Sequence, residues 1–236
     1  MLPRKLGLIY LAAFVLGLAG IALVAAAGNK PSSVPRDLEK LTFVHHKIPR
    51  HYSPPTWDDT EDDFKLIMGG AHWFDTISCE VNPAGSGLVP EVVRSTLEES
   101  TNTWDEETGF ALFAAPTITG ESSIGYDDAN RIVWSDLDAG VIAVAHLWIN
   151  RKTKEIVQFD MEFNTDYPWS AAEVCPSDKM DLQNIATHEF GHNGLSDLRP
   201  RKDSALTMYA FSGLGETQKR SLGVGDILGI EELYGE

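Results

Sequence analysis

The stretch ATHEFGHNGLSDL, residues 186–198, restricts the fold of this chain of 236 residues more than any other part of it. It places His188 and His192 four residues apart, and side chains at that spacing lie one turn apart on the same face of a helix. Two neutral imidazoles in that arrangement can bind the same ion, and Zn²⁺ is commonly bound by histidine nitrogens. The motif therefore predicts a metal-binding helix late in the chain.

The residues around the motif carry the signals of such a helix. Ser177 or Asp178 is suited to cap its start, and Gly194 follows its expected end at Asn193. The expected buried stripe consists of apolar residues at helical spacing, namely Leu182, Ile185, Ala186 and Phe190.

Glu189 directly follows the first histidine and is expected to project beside the metal. Bound zinc lowers the pKa of its water to about 7, so a carboxylate can take a proton from that water near neutral pH. The same carboxylate can then pass the proton to a leaving amine. The motif thus indicates zinc-dependent hydrolysis of a peptide bond, with Glu189 as the general base.

The motif does not contain the third protein ligand that a catalytic zinc site usually has. Asp197 is the first strong ligand that the chain reaches after Gly194, because Ser196 binds zinc poorly. The next residue, Leu198, has no donor atom. We therefore predict Asp197 as the third zinc ligand.

The motif and the later stretch ALTMYAF together resemble the metzincin metallopeptidases, and most of all their matrixin branch. In that family a tight turn after the zinc motif carries a methionine beneath the metal, and Met208 matches this methionine of the Met-turn. The tail RSLGVGDILGIEELYG resembles the closing helix of matrixin domains. The resemblance implies an α+β catalytic domain over residues 64–236. It would contain a mixed, twisted sheet of about five strands, an active-site helix, the Met-turn and a C-terminal helix, and it would cleave proteins or peptides.

The sequence also departs from the family pattern. The family glycine and third ligand lie three and six residues after the second histidine, whereas Gly194 and Asp197 lie two and five residues after His192. A deletion of one residue aligns both positions. The family's Pro-Arg-Cys-Gly cysteine switch and its histidine-rich structural zinc loop are absent, and His146, the one candidate remnant, is interpreted as a strand histidine. The resemblance also allows calcium, for which no residues can be assigned.

The region before the motif predicts most of the sheet. A helix is expected to begin at Pro90, which suits a first turn. The segments predicted as strands are 76–81, 110–116, 131–137, 140–150 and 154–164, and the last two form a hairpin. In the family that the chain resembles, an edge strand of the sheet pairs with the extended substrate. The resemblance places this edge strand at Val141–Leu147.

The N-terminus has the pattern of an export signal. Arg4 and Lys5 precede an apolar run from Leu6 to Ala27 that closes in small residues. The run is also long enough to span a bilayer, so residues 1–28 are predicted to be a signal peptide or a membrane anchor, with residues 6–27 as the tether. Either form places the rest of the chain outside the cytoplasm.

Residues 29–63 are rich in proline, charge and histidine and show no sustained helical or strand period. This composition predicts a linker or stalk. Its histidines, His45, His46 and His51, are expected to be solvated.

Charge and cysteine content exclude some classes of function. A formal net charge of −16 argues against a nucleic-acid partner, because phosphate requires a basic surface. The two cysteines, Cys79 and Cys175, lie far apart in the sequence and do not form a CxxC motif. The sequence therefore does not indicate a cysteine-based metal or redox site. Outside the cytoplasm they either form a disulfide or remain two separate thiols.

Two other interpretations are open at this point. In one, Glu231 or Glu232 of the closing helix supplies the third ligand, as in gluzincins. In the other, the chain is a non-catalytic extracytoplasmic binding module on a decayed peptidase fold. The apolar Leu198 favours this second alternative, whereas the retention of Glu189, Asp197 and Met208 opposes it.

Overall fold

The computed structural model describes residues 34–48 and 60–235 of the chain. The helices within this part are α1 (Pro90–Asp105), α2 (Leu182–Gly191) and α3 (Val224–Tyr234). Its strands are β1 (Leu38–Lys47), β2 (Glu80–Val81), β3 (Thr117–Ile118), β4 (Arg131–Ser135), β5 (Val141–Asn150), β6 (Ile156–Asn164), β7 (Trp169–Ser170), β8 (Met180–Asp181) and β9 (Phe211–Ser212).

Seven of these strands form one mixed sheet in the order β3-β2-β4-β6-β5-β1-β9, and β7 pairs with β8. The α+β class with a C-terminal helix is therefore confirmed. The sheet has more than the five strands that we expected, because β1 and β9 extend it beyond β5.

The hairpin of β5 and β6 is the centre of the sheet and confirms the strand prediction for this region. The two strands pair antiparallel, with Ala143 opposite Phe163 and Leu147 opposite Phe159. Both faces of β5 are largely buried, which agrees with its nearly continuous apolar sequence. The hairpin thus forms a platform on which the helices pack.

The first two helices are held together by apolar packing and by one buried hydrogen bond. α1 begins at Pro90, as predicted, and buries Val93, Leu97 and Trp104. The indole Nε1 of Trp104 donates to the carbonyl oxygen of Thr187 in α2 at 2.8 Å. This contact ties the helix that carries the zinc motif to the rest of the core.

The prediction of a linker at residues 29–63 is wrong for the segment that forms β1. This strand pairs with β5 from Leu38 to His46, and His45 is fully buried rather than solvated. The sequence shows no clear strand period here, because the polar imidazole of His45 takes the place of an apolar side chain on the inward face of the strand. His51 lies outside the described residues.

The edge-strand prediction for Val141–Leu147 is also wrong for the described chain. β5 lies between β6 and β1, so that both of its edges are hydrogen-bonded. The physical reason is again β1, which covers the edge that β5 would otherwise expose.

Smaller differences concern the segments 76–81 and 110–116. They form regular strand only at Glu80–Val81 and at Thr117–Ile118, which follows the second segment, and a single bridge joins Ile77 to Phe113. The thiols of Cys79 and Cys175 are not linked to each other. Within the described ranges no helix has the length and apolar character needed to cross a bilayer, and the predicted signal or anchor at residues 1–28 lies outside these ranges.

Candidate metal centre

The helix with the zinc motif is shorter than the sequence suggested. Its cap is Asp181, whose carboxylate accepts a hydrogen bond from the backbone N–H of Asn184 at 2.8 Å. The predicted caps Ser177 and Asp178 precede the helix, because residues up to Asp181 belong to a loop and to β8. The helix ends at Gly191 with His192 as its C-cap, so both histidines lie at its C-terminal end.

Two backbone carbonyl groups orient the imidazole rings. Nδ1 of His188 donates to the carbonyl oxygen of Thr207 at 2.7 Å, and Nδ1 of His192 donates to that of Leu195 at 2.9 Å. A ring nitrogen that faces a carbonyl oxygen carries the proton, which leaves a lone pair on each Nε2. Both Nε2 atoms are buried and make no hydrogen bond. This arrangement is typical of histidine metal ligands, whose second nitrogen is held by an outer partner.

Asp197 completes a set of three ligand atoms. Its Oδ1 lies 3.4 Å from Nε2 of His188 and 3.7 Å from Nε2 of His192. The three atoms all lie within 4.8 Å of one another, which fits a single ion. Oδ1 is itself a buried atom without a hydrogen-bond partner. Buried polar atoms normally have a bonding partner, and these three face each other without one. A divalent cation bound between them would be a partner for all three.

The charges at the site suit the same interpretation. Burial lowers the pKa of His192 to about 4, so this imidazole is neutral at neutral pH. For Asp197, burial acts to raise the pKa, but the neighbouring histidines outweigh it and the pKa falls to about 2. A neutral imidazole and an ionised carboxylate are the forms that bind zinc.

Glu189 lies beside this cluster in a fully buried position. Its Oε1 accepts a hydrogen bond from Nδ1 of His45 at 3.0 Å, and its Oε2 has no hydrogen-bond partner. Burial, together with the charge of Asp197, raises the pKa of Glu189 well above its ordinary value. The carboxyl group is therefore one that takes up a proton readily.

Met208 lies directly beneath the end of α2. A Cβ atom added to Gly191 would meet the Met208 sulfur at 2.2 Å, so the thioether packs against the backbone between the two histidines. The side chain of Met208 is buried, as the Met-turn resemblance implies.

The turn between His192 and Asp197 contains Gly194, and the need for a glycine at this position comes from a tertiary contact. Gly194 follows the end of the helix, but it is not among the residues with positive φ, so the turn does not need the backbone freedom of a glycine there. Instead, a Cβ atom at this position would come within 2.5 Å of Leu233 in α3. The fully buried Leu195 anchors the turn.

Sequence reasoning missed Asp226, which supports the site from α3. Its buried carboxylate accepts hydrogen bonds from the backbone N–H groups of Thr207, Met208 and Gly223 at 2.7, 3.0 and 2.9 Å. It thereby holds the turn whose carbonyl oxygen orients His188. The only available sequence signal was an acidic residue in the first turn of the closing helix.

The other candidate ligands do not reach the cluster. Glu231 and Glu232 are exposed on α3 and belong to none of the described groups that are able to hold an ion. The gluzincin-like alternative therefore has no geometric support. His146 is a strand histidine, as interpreted, since its nitrogens lie 3.0 Å from Thr42 Oγ1 and 3.0 Å from Glu162 Oε1.

β1 passes directly over the metal-binding residues. The ring of Phe43 stacks on His192 with centroids 4.1 Å apart and an interplanar angle of 13°. The ring of His45 lies 3.9 Å from that of His188. Both rings of the zinc motif are thus covered by side chains from the segment that was expected to be a linker.

Comparison with known proteins is consistent with this geometry. A family model described as Matrixin matches residues 72–235, which is more than half of the chain. No curated protein matches the sequence.

Proposed function

We propose that this chain, which belongs to the matrixin family, hydrolyses peptide bonds as a zinc-dependent endopeptidase. The observation that carries the proposal is the convergence of three buried, unpartnered ligand atoms on one point, contributed by His188, His192 and Asp197. A protein or peptide is the substrate class that the family implies.

In this proposal the three ligands hold the ion, and the protein keeps them ready for it. The carbonyl oxygens of Thr207 and Leu195 fix the two rings in the tautomer with a vacant Nε2. When bound, zinc polarises a peptide carbonyl and makes water acidic enough to lose a proton near neutral pH.

Glu189 is proposed to move the proton. Its unpartnered Oε2 accepts the proton of the attacking water, and the carboxyl group then delivers it to the amine that leaves. The buried environment supports this role, because it raises the pKa of Glu189 and so favours the protonated form that must exist between the two steps.

The cellular location is part of the proposal and rests on the sequence. Arg4 and Lys5 followed by the apolar residues 6–27 support export, with cleavage or retention as a tether. Protease added to intact cells should degrade residues 64–236, or these residues should appear in the medium. Full protection in cells that are accessible to the protease would contradict export.

The experiment that tests the proposed activity measures metal content and hydrolysis on the same preparations. The full chain should contain one zinc ion and should cleave a quenched fluorescent peptide library in a chelator-sensitive way. The alternative of a non-catalytic binding module predicts that the chain does not hydrolyse any peptide of the library. That result would refute the proposed activity.

A further inference from the structure

A cavity of about 630 Å³, the Asp197 cavity, opens beside the metal-binding residues and is lined by Asp197. The side chains of His188 and His192 are 0% and 1% exposed, whereas that of Asp197 is 10% exposed. The remaining lining comes from β1, from Lys65 and from the loop 196–200 that contains Asp197. The metal centre is therefore open to solvent on the side of this cavity.

Two exposed basic side chains, those of Lys65 and Arg199, lie in the lining of the Asp197 cavity. Neither forms an ion pair or a side-chain hydrogen bond with a residue that the structure describes. Arginines elsewhere, such as Arg94, Arg131 and Arg220, are paired with carboxylates. Two cations without a counter-charge, in a chain of net charge −16, make this cavity suited to an anionic ligand.

The backbone that presents the two basic side chains is tied to the metal-binding loop. The carbonyl oxygen of Lys65 accepts a hydrogen bond from the backbone N–H of Ser196 at 2.7 Å. Arg199 directly follows Leu198, whose backbone N–H donates to the carbonyl oxygen of Met208 at 2.8 Å. Both cations are therefore held at a fixed place relative to Asp197, as a subsite next to a metal centre requires.

The charge of Arg199 acts on the metal centre. Burial acts to raise the pKa of Asp197, whereas the neighbouring histidines and Arg199 act to lower it. Asp197 is the only acidic residue among the described residues that line the cavity, and in the proposed function its charge belongs to the ion. The guanidinium of Arg199 and the ammonium of Lys65 thus remain available to a carboxylate that enters from outside.

We propose that the Asp197 cavity is a subsite for an acidic side chain of the peptide substrate, with Lys65 and Arg199 as specificity-determining residues. This inference rests on the proposed function and names its substrate class. The lining also contains apolar side chains, including Phe43, Leu198 and Pro200. Glutamate matches both features, because its methylene groups contact an apolar wall while its carboxylate binds a guanidinium through two parallel hydrogen bonds.

The kinetic test uses the full-length, zinc-loaded chain and quenched fluorescent peptides that are amidated at the C-terminus. A single glutamate is placed in turn at each position of a neutral sequence and is compared with glutamine at that position. At one position near the cleaved bond glutamate should raise kcat/KM about fivefold, a modest effect because both cations are exposed. The ratio should fall with added NaCl, since salt screens exposed charges. Equal rates for glutamate and glutamine at every position would overturn the inference.

Charge variants connect the preference to the cavity. Arg199→Gln and Lys65→Gln should each lower the ratio of kcat/KM for glutamate over glutamine, and Arg199→Lys should keep part of it because the charge is retained. Lys152→Gln is the matched control, since it removes one exposed positive charge from the turn between β5 and β6. An equal loss in Lys152→Gln, or an unchanged ratio in Arg199→Gln and Lys65→Gln, would overturn the inference.

A substrate carboxylate also occurs at the C-terminus of a peptide, and a second peptide series separates the two sources. Neutral peptides with a free C-terminus should be cleaved no faster than their amidated forms. A preference that follows the free C-terminus and not the glutamate side chain would overturn the assignment to an acidic side chain.

A binding measurement is independent of hydrolysis. The zinc-loaded Glu189→Gln chain should bind a fluorescently labelled glutamate peptide about fivefold more tightly than the glutamine peptide by anisotropy. The additional change Arg199→Gln should reduce this difference. If the binding preference is found but the wild-type chain hydrolyses no peptide, the proposed activity fails while the subsite stands. Hydrolysis without any preference for glutamate would overturn the subsite and leave the proposed activity intact.

Discussion

Nδ1 of His188 donates to the carbonyl oxygen of Thr207 at 2.7 Å, so the first histidine of the zinc motif is oriented by the loop that carries Met208. This loop is in turn held by the carboxylate of Asp226. The metal centre therefore depends on a residue of α3 that does not reach the metal.

Asp226→Ala should weaken both folding and zinc binding. Three backbone N–H groups lose their acceptor, which should cost about 3 kcal/mol in the free energy of unfolding, and zinc affinity should fall roughly 10- to 100-fold, as for other outer-shell partners. Urea unfolding and competition with a fluorescent chelator measure the two effects. Glu232→Gln, an exposed change on the same helix, is the control and should alter neither quantity.

Asp197→Ala should lower zinc affinity strongly, because it removes one of three convergent ligand atoms. Asp197→His should restore part of the affinity, since imidazole is also a zinc ligand. Zinc titration against a chelator measures this, with Glu231→Ala as the control. Loss of affinity in Glu231→Ala, together with unchanged affinity in Asp197→Ala, would point to the gluzincin-like alternative.

Glu189→Ala should reduce peptide hydrolysis at least about 100-fold while zinc remains bound, because Glu189 is proposed as a base and not as a ligand. Metal analysis and hydrolysis assays on the same sample separate the two effects. The comparison is made with the wild-type chain under the same conditions. Near-normal turnover in Glu189→Ala would contradict the mechanism.

Gly191→Ala should destabilise the protein by about 1–3 kcal/mol through overpacking. The added Cβ would lie 2.2 Å from the sulfur of Met208 and 2.7 Å from Cζ2 of Trp104, and the indole of Trp104 is tethered by its hydrogen bond to Thr187. Gly120→Ala is the control, since its Cβ would meet nothing within 4 Å.

Met208→Leu conserves volume and should cost less than about 1.5 kcal/mol in the same unfolding measurement.

Asp160 should make stability depend on pH independently of the metal centre. Burial raises its pKa to about 6, although hydrogen bonds from Gly125 and Arg131 act in the opposite direction. Between an unfolded pKa of about 4 and this value the folded state binds more protons, so stability is lost as pH rises through that window. The full effect is about 3 kcal/mol.

The measurement for Asp160 compares urea unfolding of the wild-type and Asp160→Asn proteins from pH 4 to pH 7. The difference in stability between the two proteins should change across this range, because the variant lacks the titrating carboxyl group. A difference that is constant with pH would show that the carboxyl group does not titrate in this window.

The sequence alone determined the parts of the protein that depend on local spacing. The four-residue interval between His188 and His192 placed both rings on one helix, and the apolar pattern of 140–164 predicted the β5–β6 hairpin. Pro90 marked the start of α1, and the stretch around Met208 indicated the family, whose model matches residues 72–235. These features could be predicted because each depends on residues that are close together in the sequence.

Only the tertiary structure decided what lies across the sheet from these elements. His45 contacts Glu189 although the two are 144 residues apart in the chain, and no local period predicts a pairing at that distance. The same holds for Asp226, which reaches its partners in the Met208 turn from a separate helix. Gly194 was identified from the sequence, but its reason is the closeness of Leu233, a contact that exists only after α3 has packed. Local conformation follows from the properties of neighbouring residues, whereas the seating of β1 and the support of the metal centre arise from contacts that form when distant segments come together.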